Sequence, residues 1–526
     1  MSTATASRCF ARRATRVAFA ALSIVAAALA PLLAACDRST TAPRAASAPG
    51  ARPNILLVVW DAVRSDRLSL YGHDRQTTPF LDAFAGQARV FDNCLSVASN
   101  TVPAHASIFT GLLPVEHGVT NEAPFLADDF ETLAELLKAA GYRTCLFSEN
   151  PHICTANHFT QGFDVAEHPW SAPYAAQAVR ITQSKLDPSD VSSELSADFA
   201  RRGKVSVWSI KAAGLLAQQA VVNWLAQQPP DQPWFVFINY MEAHRPLIPP
   251  RHYRLRLLTP DEVEASYRVD RRWLPMWSYV FGLHEYTPEE IRLTQATYDA
   301  ALLELDELFH NLLEGLRAAG RLENTAVVLV ADHGEHLGEH HRLDHQYSVY
   351  EPLLRVPLVV HYPRHFVPGR ETRPVMNLDL FPTLLELAGI NPPARSGALS
   401  LLQPRDQRPR LAEYPAVMLE AITRVQQAYP DHDLTPWKRT LRAWYAPPCK
   451  FIEASDGRHE LYNLSDDPAE LHNLIDLQPD IAQRLATELR TFIASLRKAT
   501  PMPPPAGPVE DDQRRRLRML GYLEPE

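Results

Sequence analysis

The sequence is poor in features that would point to several common chemistries. Only six cysteines occur among 526 residues, and none has the close spacing of a thiolate metal site. Beyond the first residues there is no run of Lys or Arg, and the formal net charge is -9. A basic footprint for nucleic acid is therefore missing, and nucleic acid is excluded as an expected partner. Glycine-rich phosphate loops are absent too: the chain has no P-loop, no dinucleotide fingerprint and no G-x-S-x-G elbow. It also has no internal repeat, which excludes solenoid architectures. What remains, 46% hydrophobic and 21% charged residues, is the composition of an ordinary globular enzyme. At this length the chain can bury a large core, and two structural units with one dominating are expected.

Residues 1–36 read as a processing segment. Arg8, Arg12, Arg13 and Arg16 form a positive region, an apolar stretch runs from Val17 to Ala35, and "LAAC" closes it at Cys36. Leu33-Ala34-Ala35-Cys36 resembles a bacterial lipobox, whose cysteine is lipidated and becomes the mature N-terminus. An uncleaved signal anchor is the alternative, since the stretch nearly spans a bilayer. Either way the expected location is extracytoplasmic, on the periplasmic side of a bacterial membrane, with the membrane as a partner through the anchor. Residues 37–53, rich in Ser, Thr, Ala and Pro, read as a flexible tether. With Cys9 removed and Cys36 lipidated, Cys94, Cys145, Cys154 and Cys449 remain. In an oxidising compartment they allow disulfides of undetermined pairing.

Three short apolar runs each end in a chemically capable residue. "NILLVVWD" ends at Asp61, "PWFVFINYMEAH" leads to His244, and "NTAVVLVADHGE" delivers Asp332 and His333. Runs this short and rich in Val and Ile read as strands buried on both faces. Helical patterns lie between them: "DDFETLAELLKAAG" closes on Gly141, and a long one runs from Pro288 to a stop at Gly320. The alternation gives an α/β fold with a mostly parallel central sheet flanked by helices. Ligands gather beyond the carboxyl ends of such strands, where Asp61, His244, Asp332 and His333 are expected. Residues 172–202 and 251–285 lack sheet periodicity and read as insertions that shape substrate access. The catalytic domain is assigned to residues 54–403. Residues 404–526 form a smaller α+β subdomain with a closing amphipathic helix at "DIAQRLATELRTFIASLRK".

Five fragments in one order carry a resemblance. They are "NILLVVWDAVRSDRLSLYGHDRQTTPFLDAFA", "TVPAHASIFTGLLPVEHG", "DHGEHLGEHHRLDHQYSVYEPLLRVPLVVHYP", "DLFPTLLELAG" and "LYNLSDDPAELHNL". From residue 54 to 473 the chain resembles the sulfatases of the alkaline phosphatase superfamily. The resemblance implies an alkaline phosphatase-like fold and hydrolysis of an anionic ester. It implies one divalent metal ion (Mn, Zn, Ca or Mg) on Asp61, Asp332, His333 and the side chain of Thr101. Hard oxygen ligands with one imidazole suit a cation that holds an ester oxygen and acidifies a bound hydroxyl.

Position 101 departs from the pattern. Sulfatases place Cys or Ser there and oxidise it to formylglycine. Threonine cannot become formylglycine, so none is expected. Phosphoethanolamine transferases, lipoteichoic acid synthases and nucleotide phosphodiesterases of the same superfamily use a threonine alkoxide, and a phosphothreonine can be attacked by water or an alcohol. Thr101 is accordingly read as the nucleophile, the alternative being a cap for a helix that begins near Pro103. His105 replaces the signature arginine, keeping a donor but not a permanent charge. By resemblance His117, His244 and His345 are candidates to bind the ester anion or protonate the leaving group, with Asn121 and Asn150 as weaker ones. The expected function is a metal-dependent hydrolase of sulfate or phosphate esters, phosphate esters or diesters being favoured by Thr101. A head-group transferase and a noncatalytic binder of sulfated or phosphorylated polymers are the alternatives.

Overall fold

The computed structural model describes residues 52–185, 211, 213–395, 397–403, 408 and 410–499. The signal segment, Cys36 and nearly all of the tether lie outside the described residues. Along the chain come β1 (Asn54–Trp60), β2 (Arg89–Phe91), helix α1 (Thr101–Thr110), β3 (Arg143–Ser148), β4 (Val165–Glu167), α2 (Ala213–Ala226) and β5 (Trp234–Tyr240). They are followed by α3 (Trp273–Val280), α4 (Pro288–Ala318), β6 (Thr325–Ala331), β7 (Leu358–His361) and β8 (Gly369–Glu371). These eight strands form one sheet in the order β8-β2-β7-β6-β1-β5-β3-β4. β1 lies between β5 and β6, parallel to both, and β7 runs antiparallel to its two neighbours.

The central strands are apolar because helices cover both of their faces. β5 and β6 are buried at every position, and β1 at all but its first. The long helix α4 starts at Pro288 behind a Thr287/Glu290 capping box. It packs Phe309 edge-on against Trp60 at 6.1 Å. The expected α/β architecture with its mostly parallel sheet is therefore present, β7 being the antiparallel exception.

A four-stranded antiparallel sheet follows, built from β9 (Arg410–Tyr414), β10 (Leu441–Ala446), β11 (Cys449–Ala454) and β12 (Glu460–Asn463), with α5 (Leu419–Ala428) after its first strand. Among the described residues the last helix, α6 (Pro479–Ser495), buries Ala482, Leu485, Ala486, Leu489 and Ile493, the spacing of one helical stripe. The stretch 251–285 contributes three short helices, Arg251–Arg254, Pro260–Arg268 and α3. Cys94, Cys145, Cys154 and Cys449 are free thiols, so the disulfides that the sequence permits are not formed among them. Among the described residues no helix is long and apolar enough to cross a membrane.

Candidate active site

Sheet register explains why two aspartates 271 positions apart in sequence meet. Trp60 pairs with Ala331, so Asp61 and Asp332 are the next residues on adjacent parallel strands. Each carboxylate commits one oxygen to the protein. Asp332 Oδ1 accepts from the N–H of Ala62 at 3.1 Å and of His333 at 2.8 Å. Asp61 Oδ2 accepts from Asn150 Nδ2 at 2.9 Å and Asn239 Nδ2 at 3.4 Å. The other two oxygens, Asp61 Oδ1 and Asp332 Oδ2, are buried without a hydrogen-bond donor. They lie 3.8 Å and 3.5 Å from His333 Nε2. His333 Nδ1 is 2.7 Å from the Gly334 carbonyl, so it carries the proton and Nε2 keeps a lone pair.

This donor set fits a divalent cation. Orphaned carboxylate oxygens in an interior are rare, and here two of them face one imidazole lone pair with all three ligand atoms within 4.8 Å of one another. A histidine whose second nitrogen donates to a carbonyl is the usual metal-binding arrangement. Electrostatics agree: burial, with Asp332 beside it, pushes the Asp61 carboxyl up to about 6, and burial raises Asp332 to about 7. Burial holds His333 down to about 4. Two neighbouring buried carboxylates want either protons or a cation. Gly334 is required beside this set, because a Cβ there would lie 2.0 Å from the Pro352 carbonyl oxygen.

Thr101 is the first residue of α1 rather than a cap preceding Pro103; Asn100 holds the capping position. Its Oγ1 is buried 3.1 Å from His333 Nε2, beside the ligand set and at a helix N-terminus whose free N–H groups favour an anion. The Asn100 side chain does not cap the helix; its Nδ2 donates to Gln346 Oε1 at 2.8 Å.

The predicted histidines separate into distinct roles. His105, one turn after Thr101, lies 2.9 Å from the Thr101 carbonyl through Nδ1 and 3.4 Å from Asp332 Oδ2. Burial depresses it to about 3, so it is a neutral support that touches a ligand carboxylate. His345 Nδ1 is 2.8 Å from Asp344 Oδ1 and 3.5 Å from Glu335 Oε1. Burial works against its charge, yet the Asp344 and Glu335 carboxylates outweigh burial and raise it to about 10. Its ring is 4.5 Å from that of His333 and 5.1 Å from that of His244. His244 is held well below its ordinary range by burial and by the charges of His345, Lys211 and Arg245. His117 is not drawn into this cluster. Its Nε2 meets Ser107 Oγ at 3.0 Å and its Nδ1 accepts from the Val119 N–H at 3.0 Å, which ties down the turn after α1. Both ring nitrogens are occupied, and the structure does not bring His117 together with the other predicted site residues. Asn150 binds Asp61 directly, whereas Asn121 touches no ligand and is buried without a side-chain partner.

Sequence reading missed Asn239, Gln346, Glu335 and Asp344. Asn239 could have been noticed as a polar break near the end of an apolar strand. Gln346, whose buried Nε2 has no acceptor, gives no signal beyond its place after His345.

A family model described as Sulfatase matches residues 53–390, and one described as N-sulphoglucosamine sulphohydrolase, C-terminal, matches residues 338–499. The N-acetylglucosamine-6-O-sulfatase of Bacteroides thetaiotaomicron is 26% identical over 487 residues, covering 80% of this chain and 82% of that protein. The choline-sulfatase of Rhizobium meliloti is 25% identical over 443 residues, covering 81% and 83%. In structure, the phosphonate monoester hydrolase of Agrobacterium radiobacter superposes with a TM-score of 0.64 at 21% identity, over 84% of this chain and 96% of that one.

Proposed function

Since this chain belongs to the sulfatase family of hydrolases, we propose that it is a metal-dependent esterase with an unmodified threonine nucleophile, acting on phosphate esters or diesters in preference to sulfate esters. The observation that carries the reading is Thr101 Oγ1 at 3.1 Å from His333 Nε2, at the edge of two orphaned carboxylate oxygens.

Asp61, Asp332 and His333 would hold the cation, with Thr101 completing the set. Bound there, a divalent ion supplies charge to an ester oxygen and acidifies the threonine hydroxyl. Thr101 Oγ, having released its proton to solvent, attacks phosphorus opposite the leaving oxygen, and the bond to that oxygen breaks as the new O–P bond forms. His345, fixed by Asp344, donates a proton to the departing oxygen, with His244 alongside. Water then attacks the phosphothreonine and passes a proton to His345, which regains the one it gave up, while phosphate departs and the Thr101 oxygen is released as the alkoxide that began the cycle. A formylglycine hydrate can expel sulfate by collapsing to the aldehyde. Threonine has no such exit, and its ester must be cleared by attack at the central atom, which suits phosphorus. The lipobox-like "LAAC" supports a lipid-anchored protein on the extracytoplasmic side.

The test is a substrate panel of aryl sulfate, phosphate monoester, phosphodiester and phosphonate monoester with several divalent metals, combined with mass spectrometry of quenched protein. Phosphorus esters should turn over fastest, with one phosphoryl adduct on Thr101. Turnover confined to the sulfate, or full activity without any adduct-forming residue at 101, would overturn the reading.

A further inference from the structure

The side chain next to His244 has an unusual environment. The Arg245 guanidinium stacks on the Trp273 ring at 3.8 Å, and its Nε forms a close ion pair with Asp344 Oδ2. The side chain is only 13% exposed, and Nη2 is buried with no acceptor among the described residues. A buried guanidinium donor left without an acceptor is costly, and the partners that suit a guanidinium are a carboxylate, sulfate or phosphate.

The fork is also held in place. Asp344, which grips Nε, is itself fixed by the His345 N–H at 2.7 Å and His345 Nδ1 at 2.8 Å. On the other side Trp273 is braced by Trp277, whose ring lies 5.5 Å away, and Trp277 meets Tyr347 at 5.5 Å. Helix α3, from the stretch read as an insertion, is therefore joined through Trp273, Arg245 and Asp344 to His345. The neighbouring group Glu335, Asp344 and His345 has metal-like geometry. Arg245 and the His345 imidazolium already balance its two carboxylates, so it is better described as a charged frame for His345.

We propose that Arg245 and Trp273 form a leaving-group subsite that selects esters whose alcohol carries a second anionic group near the ester. This rests on the ester-hydrolase reading above, because it takes the side of His244 and His345 as the leaving-group side.

The experiment compares phenyl phosphate with 2-carboxyphenyl phosphate for the metal-loaded wild type, Arg245→Ala, Arg245→Gln and Arg245→Lys. Loss of kcat/KM in Arg245→Ala and Arg245→Gln should be about 10- to 100-fold larger for the carboxylated ester, with part of the preference kept by Arg245→Lys. Arg245 also pairs with Asp344 and lowers His244, so the pH–rate limbs shift in every neutral variant, but they shift alike for both esters and leave the ratio of losses to report the subsite. Equal losses on the two esters at every pH would show that Arg245 acts only through Asp344 and the histidines, and would overturn the subsite. Calorimetric binding of the same two compounds separates this from failure of the hydrolase reading. If neither is turned over, that reading fails, and weaker binding of the carboxylated compound alone in Arg245→Ala still supports the subsite. Equal binding of both compounds by wild type and variant overturns it.

Discussion

A secondary alcohol oxidises to a ketone, so Thr101 cannot become the aldehyde that sulfatases use, and the proposed mechanism rests on its own oxygen. Thr101→Ala should lower kcat by about a thousandfold or more, abolish the adduct and leave the fold intact. Thr101→Ser should keep activity within about a hundredfold of wild type, because the oxygen stays and only the methyl that fixes its rotamer is lost. Steady-state kinetics with rapid-quench mass spectrometry checks both. At this scale much of the site was legible. Asp61, Asp332 and His333 stand at the ends of apolar runs, and Thr101 sits in a recognisable frame. His117 was not, because one histidine reads like another until its two nitrogens are seen bonded to Ser107 and Val119. Nor was Gln346: an amide in a loop becomes notable only when Asn100 fixes its oxygen and leaves its nitrogen bare.

The strands were readable from their apolar runs, but their pairing was not, and pairing is what brings Asn239 under Asp61. Short β7, antiparallel between β6 and β2, escaped notice because four residues give too few positions to fix a direction. Helix–helix anchoring was equally hidden. Asp306 of α4 accepts from the N–H groups of Phe80 and Leu81, each at 2.8 Å, capping helix Pro79–Ala85 from another element. Burial outweighs those two bonds and raises its carboxyl to about 7 from 3.8. A raised carboxyl makes a contribution to stability that is complete below about pH 3.8 and is lost as pH rises through about 7. Asp306→Asn, which cannot titrate, should therefore flatten the decline in stability between pH 4 and pH 8. Urea unfolding at several pH values measures it; an unchanged slope would show that Asp306 is not the titrating group.

Among the described residues several sets of buried charges join segments far apart in sequence, and two of them lend themselves to a test of stability. Lys450 of β11, fully buried, meets Glu470 at 2.7 Å and Glu351 at 3.0 Å. Lys450→Met would leave the buried Glu470 without its cation, Glu351 keeping Arg355 and Tyr445, and should cost about 3 kcal/mol, seen as a lower urea midpoint at constant m-value. The second set joins the ends of β1 and β6 at the proposed metal ligands, and here the sign with pH reverses once a cation is present. In chelated protein Asp61 and Asp332, raised to about 6 and about 7 from 3.8, favour the fold below pH 3.8 and lose that contribution as pH climbs through 6 and 7. A cation needs the same two groups deprotonated, so its stabilisation is present at pH 8 and lost as pH falls through 7 and 6. At a hundredfold excess over Kd that stabilisation is about 2.7 kcal/mol. The difference in Tm between manganese-loaded and chelated protein should accordingly widen from pH 5 to pH 8, and Asp332→Asn should shrink it at every pH. A gap independent of pH, or one that survives Asp332→Asn, would place the cation elsewhere and leave Thr101 without the charge that makes its oxygen reactive.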